Sequence, residues 1–249
     1  MINSNTFSNF NSKYPIYADL HTHSISSGHG SEDTITDMIR CASESGLSLF
    51  GISDHGPATS SSAKPSYFQS LKLADRDRFG IRVLYGAELN IINTAGDVDL
   101  DDDTLSTLDY AIISIHPPIF KPYHDKDLSS AYIRAMDHPK VRFLGHIDDA
   151  RFPVDFEYLL AIAKEKHVYP EINNGSLMPD AYRINGQENC RRILSICKKL
   201  DLPVLLSSDS HGKKNIGNMQ YIFPLLEELD FPAHLVLNSD LSVLSEIIR

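Results

Sequence analysis

The chain has no tryptophan and only three cysteines, Cys41, Cys190 and Cys197, among its 249 residues. These show no CxxC spacing and cannot all pair, which argues against a disulfide framework and fits reduced, structural thiols in a reducing compartment. Long apolar runs are missing too: none approaches the roughly 20 residues a membrane span needs. Met1–Lys13 is rich in Ser and Asn and lacks the apolar core of a secretory leader, so it reads as a loose N-terminus of a cytoplasmic protein. Positive charge is scarce, with Lys plus Arg at 23 against Asp plus Glu at 33 and a formal net charge of -10. No basic stripe stands out, which argues against a broad nucleic-acid-binding face. There is no low-complexity linker, internal repeat or composition shift, so residues 1–249 read as one domain. A hydrophobic content of 42% is ordinary for a globular chain of this length, which can bury a core without staples.

What recurs is an apolar strand followed by a helical stretch. The strand candidates are Pro15–Leu20, Leu47–Ser53, Arg82–Ala87, Tyr110–Ile115, Val141–Gly145, His167–Ile172 and Pro203–Ser207. Each is short, rich in Ile, Val, Leu, Tyr or Phe and not strictly alternating, as strands covered on both faces should be. Helices are expected at Ile35–Ser45, Asp155–Lys166, Asn189–Leu200, Leu225–Leu229 and Leu241–Ile248, the first preceded by capping residues and ended by Gly46. Strands alternating with helices imply a parallel sheet, and about seven such units favour a closed α/β barrel over an open sheet. The aspartate-rich segment Asp97–Asp103 reads as a solvated loop.

Histidine is the residue present out of proportion, at 11 copies. Polar groups suited to metal binding follow every expected strand: Asp19-Leu20-His21-Thr22-His23, Asp54-His55-Gly56, Glu88, His116, His146, Glu171-Ile172-Asn173-Asn174 and Asp209-Ser210-His211. In a parallel barrel these ends share one mouth, where active sites sit. Residues two apart in an extended chain face the same side, so His21 and His23 can reach one ion; Asp209 and His211 can do the same or serve neighbouring ions. Neutral imidazole suits zinc, manganese or iron, and a carboxylate such as Glu88 can bridge two ions. A lone HxH is weak; the coincidence of donors at seven strand ends is not.

These residues resemble the PHP (polymerase and histidinol phosphatase) family of metal-dependent phosphoesterases, and within it the stand-alone trinuclear-zinc phosphatases. The shared motifs are Asp19-Leu20-His21-Thr22-His23, His29, Ile52-Ser53-Asp54-His55-Gly56-Pro57, Gly86-Ala87-Glu88, His116, His146, Glu171-Ile172-Asn173-Asn174 and Ser207-Ser208-Asp209-Ser210-His211, running from Ala18 to His211. The resemblance implies a distorted seven-stranded (β/α) TIM-like barrel with three divalent ions at the C-terminal end of its strands, zinc first and manganese or iron next. Carried over by position, His21, His23, Glu88 and Asp209 would hold the first ion, with Glu88 bridging to a second held by His116 and His146. His29, His55 and His211 would hold the third. Glu88, Asp209 and His211 are thereby the candidate catalytic groups, and Asp54 and Glu171 the carboxylates that orient ligands.

The expected reaction is hydrolysis of a small phosphomonoester by a metal-activated water, with no phosphoenzyme. Asn173, Arg183 and His124 are candidates for orienting or substrate-binding roles. Arg183 could form a forked pair with phosphate or be an ordinary surface arginine. His138, His167 and His234 lack strand-end placement and are given no role. Three other readings stay open: a histidinol-phosphate phosphatase, an amidohydrolase-type C–N hydrolase, and a non-catalytic metal-binding or polymerase-associated module.

Overall fold

The computed structural model describes residues 11–117, 119–120 and 126–249. The first apolar run divides into β1 (Ala18–Asp19) and β2 (Thr22–His23), and the chain continues through α1 (Ile35–Glu44), β3 (Leu49–Ile52), α2 (Pro65–Ser70), β4 (Asp77–Arg78) and β5 (Ile81–Asn90). Next come α3 (Asp102–Leu105), β6 (Tyr110–Ser114), α4 (Ser129–Ala135), β7 (Val141–Leu144), α5 (Phe156–Glu165) and β8 (Tyr169–Asn173). The last part holds α6 (Gly186–Leu200), β9 (Leu205–Ser207), β10 (Ser210–His211), α7 (Phe223–Glu228) and α8 (Leu241–Ile248).

The strands run parallel in the order β1-β3-β5-β6-β7-β8-β9, and the short β4 adds an antiparallel edge to β5. At the mouth β10 pairs in parallel with β2, setting Ser210 opposite Thr22 and His211 opposite His23. The sheet thus curls into the expected distorted β/α barrel, and residues of the candidate site belong to the ladder that closes its rim. Below that rim β1 and β9 do not pair directly. The gap is bridged by the segment before α8, where Asn238 Nδ2 donates to Ala18 O and Leu206 O and its Oδ1 accepts from Leu206 N, all at 2.8 Å. Val204 pairs with Val236 beside it.

Two apolar layers hold this arrangement. One lies between sheet and helices and is built from residues such as Met38, Ile39, Phe50, Leu159, Leu160, Ile193 and Leu194. The second contains Leu84, Tyr110, Ile112, Phe143 and Leu205 from the strands together with Leu237, Leu244 and Ile248 from the chain's last segment. Side chains two apart share a strand face. Leu84, Gly86, Glu88 and Asn90 therefore climb β5 from the apolar layer to the polar rim.

Helix starts follow local chemistry: Thr34 and Asp37 form a capping box on α1, and Asp155 accepts from Tyr158 N at the start of α5. Two expectations need correction, and one stretch that carried no expected element gains a helix. β5 runs on to Asn90, so Glu88 sits inside a strand and not after one. The Pro57–Ala74 stretch is partly helical, because Pro65 opens α2 at a position where its missing N–H costs nothing. Asp97–Asp103 is not a plain solvated loop: Asp101 caps α3, while Asp99 accepts from Asn90 N, Asn90 Nδ2 and Ala58 N at 2.7–2.9 Å. Charge density does not tell which carboxylates find backbone donors.

Asn238→Ala leaves three buried backbone groups of the seam without partners, each costing about 1–3 kcal/mol. Urea unfolding of the metal-stripped variant is expected to show a loss of about 3–5 kcal/mol against the stripped wild-type chain.

Candidate metal centre

The strand ends bring one carboxylate into the middle of a set of imidazoles. Glu88 Oε2 lies 2.7 Å from His55 Nδ1, 3.3 Å from His21 Nε2 and 3.5 Å from His23 Nε2. Its other oxygen lies 2.9 Å from His146 Nε2 and 3.4 Å from His116 Nε2. Asp209 Oδ1 approaches His23 Nε2 at 3.1 Å and His21 Nε2 at 3.6 Å. The ring of His211 packs 4.3 Å from that of His23, and His29 stacks 4.9 Å from His55 and lies 5.1 Å from His211. All nine expected ligand positions therefore meet at one mouth. The ligand atoms of three groups, His21-His23-Glu88, His55-Glu88-His116 and His23-His55-His211, each fall within 4.8 Å of one another.

The loop that carries His29 has no strand, yet it is fixed. Ser24 caps a short 3-10 turn at Ile25–Ser27, and Gly28 takes a left-handed φ of 82°. A β-carbon at Gly28 would run into the Ser61 backbone at 2.2 Å, so the two rim loops press together there. Two ligand positions carry strain of their own: His146 has φ 29° and Asp209 φ 52°, a region side-chain-bearing residues adopt only when the surroundings enforce it.

Three relays orient the rings. His21 Nδ1 donates to Glu171 Oε1 at 2.5 Å, and Glu171 also accepts from His146 N and the Ser207 hydroxyl. His23 Nδ1 donates to Ser27 Oγ at 3.1 Å, and that hydroxyl in turn donates to Asp54 Oδ1 at 2.7 Å. His116 Nδ1 donates to Asn90 Oδ1 at 2.7 Å, and Asn90 is held by Asp99. Each relay fixes the tautomer that turns Nε2 inward. Glu171 thus contacts the His21 ring directly, and Asp54 reaches the His23 ring through Ser27. Ser27 and Asn90 escaped the sequence reading, the one signal being that each lies two residues from a motif residue, while Asp99 was hidden in the aspartate-rich run.

Burial alone would neutralise this cluster, but the neighbours win. Desolvation pushes Glu88 up, yet the imidazoles of His21, His116 and His55 hold it well below the ordinary carboxylate range. Asp209 is depressed in the same way, by His21, His23 and Arg183 against its own burial. Burial opposes charge on His21, and the carboxylates of Glu171, Glu88 and Asp209 raise its pKa well above 6.5 all the same. Despite this pairing, His21 Nε2, His23 Nε2, His55 Nδ1 and Glu88 Oε2 are buried with no hydrogen-bond partner among the described residues. An unsatisfied buried polar atom costs about 1–3 kcal/mol, and these point toward one another. Imidazole nitrogens and carboxylate oxygens in such an arrangement fit divalent cations of the zinc type.

A cavity of about 510 Å³ opens over the cluster, lined by His29, His55, Glu88, His116, Arg183, Asp209 and His211 among others. Arg183 is neither an ordinary surface residue nor wholly free for a ligand: it donates to Asp209 Oδ2 at 2.8 Å and to Ser176 Oγ at 3.2 Å. Asn173 Nδ2 bridges Asp209 and Glu171 at 3.0 and 3.2 Å. His124 lies outside the described residues. His138 pairs with Asp102 and His234 with Asp201, away from the site.

With this geometry in hand, the chain belongs to the PHP domain family, whose profile matches residues 19–175. It is 36% identical over 231 residues to a "probable phosphatase" of Clostridium acetobutylicum, covering 93% of each chain. It is 33% identical to another of Acetivibrio thermocellus, over 93% of this chain and 94% of that one. Among solved structures it resembles the histidinol phosphate phosphatase of Lactococcus lactis, complexed with zinc, L-histidinol and phosphate. That match has a TM-score of 0.60 at 19% identity, covers 86% of this chain and 94% of the other, and bears on the fold. Among the described residues no helix is long and apolar enough to cross a membrane.

Ser27→Ala removes the acceptor that fixes the His23 ring, and zinc affinity is expected to fall about 10–100-fold in competition with a chromophoric chelator. A cation entering the site must displace the His21 proton, which is retained above the usual histidine pKa. The logarithm of zinc affinity should therefore keep climbing with pH above 6.5, where an unshifted histidine would already have levelled off. Glu171→Gln is expected to move that break downward.

Proposed function

We propose that the protein hydrolyses phosphomonoesters of small molecules at a trinuclear site. The observation that carries this reading is the gathering of buried, unpartnered imidazole nitrogens of His21, His23 and His55 around the equally unpartnered Glu88 Oε2. In this reading His21, His23, Glu88 and Asp209 hold one ion, Glu88, His116 and His146 a second, and His29, His55 and His211 a third. Zinc is the first choice, with manganese and iron as alternatives. Bound divalent ions would supply Lewis-acid activation of water and neutralise charge on the phosphoryl oxygens.

The chain's own residues do the rest. Glu171, Ser27 and Asn90 keep the imidazoles aimed inward without rearrangement. Asp209 stays ionised because His21, His23 and Arg183 surround it. Arg183, anchored by Asp209 and Ser176, has further N–H donors for a phosphoryl oxygen. Three ions against two ligand carboxylates leave about +4 locally, so a net charge of -10 does not oppose an anionic substrate.

The phosphatase names of relatives matched over nearly their full length support the reaction class. The zinc, phosphate and L-histidinol of the Lactococcus structure support the metal, and keep histidinol phosphate as the second substrate reading. An amidohydrolase-type site is less well supported, because the bridging group stands on β5 as Glu88 while β6 leads to His116. The three free cysteines support a reducing, cytoplasmic setting.

Elemental analysis of the purified chain is expected to give about three divalent ions per chain, and fewer in His23→Ala. In a panel of phosphomonoesters that includes histidinol phosphate, kcat should fall in that variant by more than about 100-fold. Full metal content with no turnover of any ester would overturn the phosphatase reading in favour of the non-catalytic module.

A further inference from the structure

We infer that Tyr182 is the platform for the leaving group, and that the preferred substrates are phosphomonoesters whose alcohol carries a planar, π-conjugated ring. This inference rests on the phosphatase reading above and adds a substrate class to it.

Tyr182 lines the cavity that opens over the metal cluster, yet it is 73% exposed, the most of any large aromatic side chain described. An exposed tyrosine is ordinary when it rides on a loose loop, but this one does not. Its neighbour Arg183 is anchored on Asp209 at the cluster, and Ile184 O accepts from Ala150 N at 2.9 Å. Ile184 N in turn donates to Asp149 Oδ1 at 3.4 Å. The backbone on the C-terminal side of Tyr182 is thus tied to both the site and the loop after β7.

The ring itself is backed. The Arg151 guanidinium lies 4.1 Å from its centroid, and Arg151 Nε is gripped by both oxygens of Asp149 at 2.9 Å. Asp149 is buried, so the plate beneath the ring has a fixed footing. A cation on one face leaves the other as a flat, preorganised surface, to which a second ring adds by offset stacking.

The chain order then divides the cavity. Arg183 reaches the phosphate end through Asp209, and Tyr182, one residue away, stands at the open end. Consecutive Cα atoms are about 3.8 Å apart, so an ester oxygen near Arg183 has its alcohol within reach of the Tyr182 ring. Pro117 and Ile119 add apolar lining, and Thr59, Ser60 and Ser61 add hydroxyls. A cavity of about 510 Å³ suits one ring and its phosphate.

The test compares benzyl phosphate with cyclohexylmethyl phosphate, which share ring size and the CH2–O ester and differ in the π face. The metal-loaded protein is expected to favour the benzyl ester about fivefold in kcat/KM, the range a single stacked pair supports. Calorimetric binding of the matching, unhydrolysable phosphonates should show the same ratio. Tyr182→Leu should bring both ratios to about one while leaving the inhibition constant of orthophosphate in place, and Tyr182→Phe should retain them. Equal use of the two esters by the wild-type chain, or a benzyl preference that survives Tyr182→Leu, overturns the platform and leaves the phosphatase intact. Turnover of neither ester beside hydrolysis of a ringless phosphomonoester also overturns the platform, whereas no turnover of any phosphomonoester overturns the phosphatase reading itself.

Discussion

A carboxylate buried among imidazoles is the constraint on which the rest of the structure depends. Glu88 is fully buried, and its two oxygens face five histidine rings. Such a cluster would relax by swinging side chains apart or drawing in water unless the scaffold prevented it. Here it is prevented from several directions. Glu88 projects from the interior of a ten-residue strand, His146 and Asp209 hold unfavourable backbone angles, and the rings of His21, His23 and His116 are each pinned from behind. The protein is rigid at the point where its polar groups are least satisfied, as preorganisation for a cation requires.

The three relays share one logic and use different chemistry. Glu171 offers a charged acceptor to His21 and helps to raise the pKa of that ring. Ser27 and Asn90 offer neutral acceptors to His23 and His116, backed by Asp54 and Asp99 one bond further out. Burial with His55 and His211 as neighbours lowers the pKa of His23 and keeps that ring neutral and ready to ligate. Two histidines two residues apart thus have pKa values shifted in opposite directions, His21 upward by the carboxylates around it and His23 downward by burial and neighbouring imidazoles.

Much of the site was legible in the sequence because it is built by repetition: an apolar run sets a parallel strand, and the polar residue that follows is delivered to the common mouth. The donors from His21 to His211 follow this rule apart from Glu88, which stands inside β5, and His29, whose loop is held by a left-handed glycine and a neighbouring loop that only three dimensions bring together. The misses share a cause. Asp99 was hidden in a run of aspartates, since composition shows charge density and not which carboxylate meets which N–H. The extra length of β5 was hidden because Glu88 and Asn90 are polar yet face a polar barrel rim. Asn238 carried no pattern at all; its role depends on two strands that fail to pair.

That last residue has a consequence for how the molecule comes into being. The amide that stitches Ala18 to Leu206 comes from 220 residues beyond the first strand, and the apolar plug beneath it belongs to the final helix. A growing chain can form its early β/α units in order, but the β1 edge facing β9 stays open until Asn238 has been made. Sealing of the seam beneath the rim therefore follows synthesis of Asn238. A ribosome-bound nascent chain stopped before Asn238 presents an unpaired strand edge, the kind of surface that chaperones hold and that aggregation exploits.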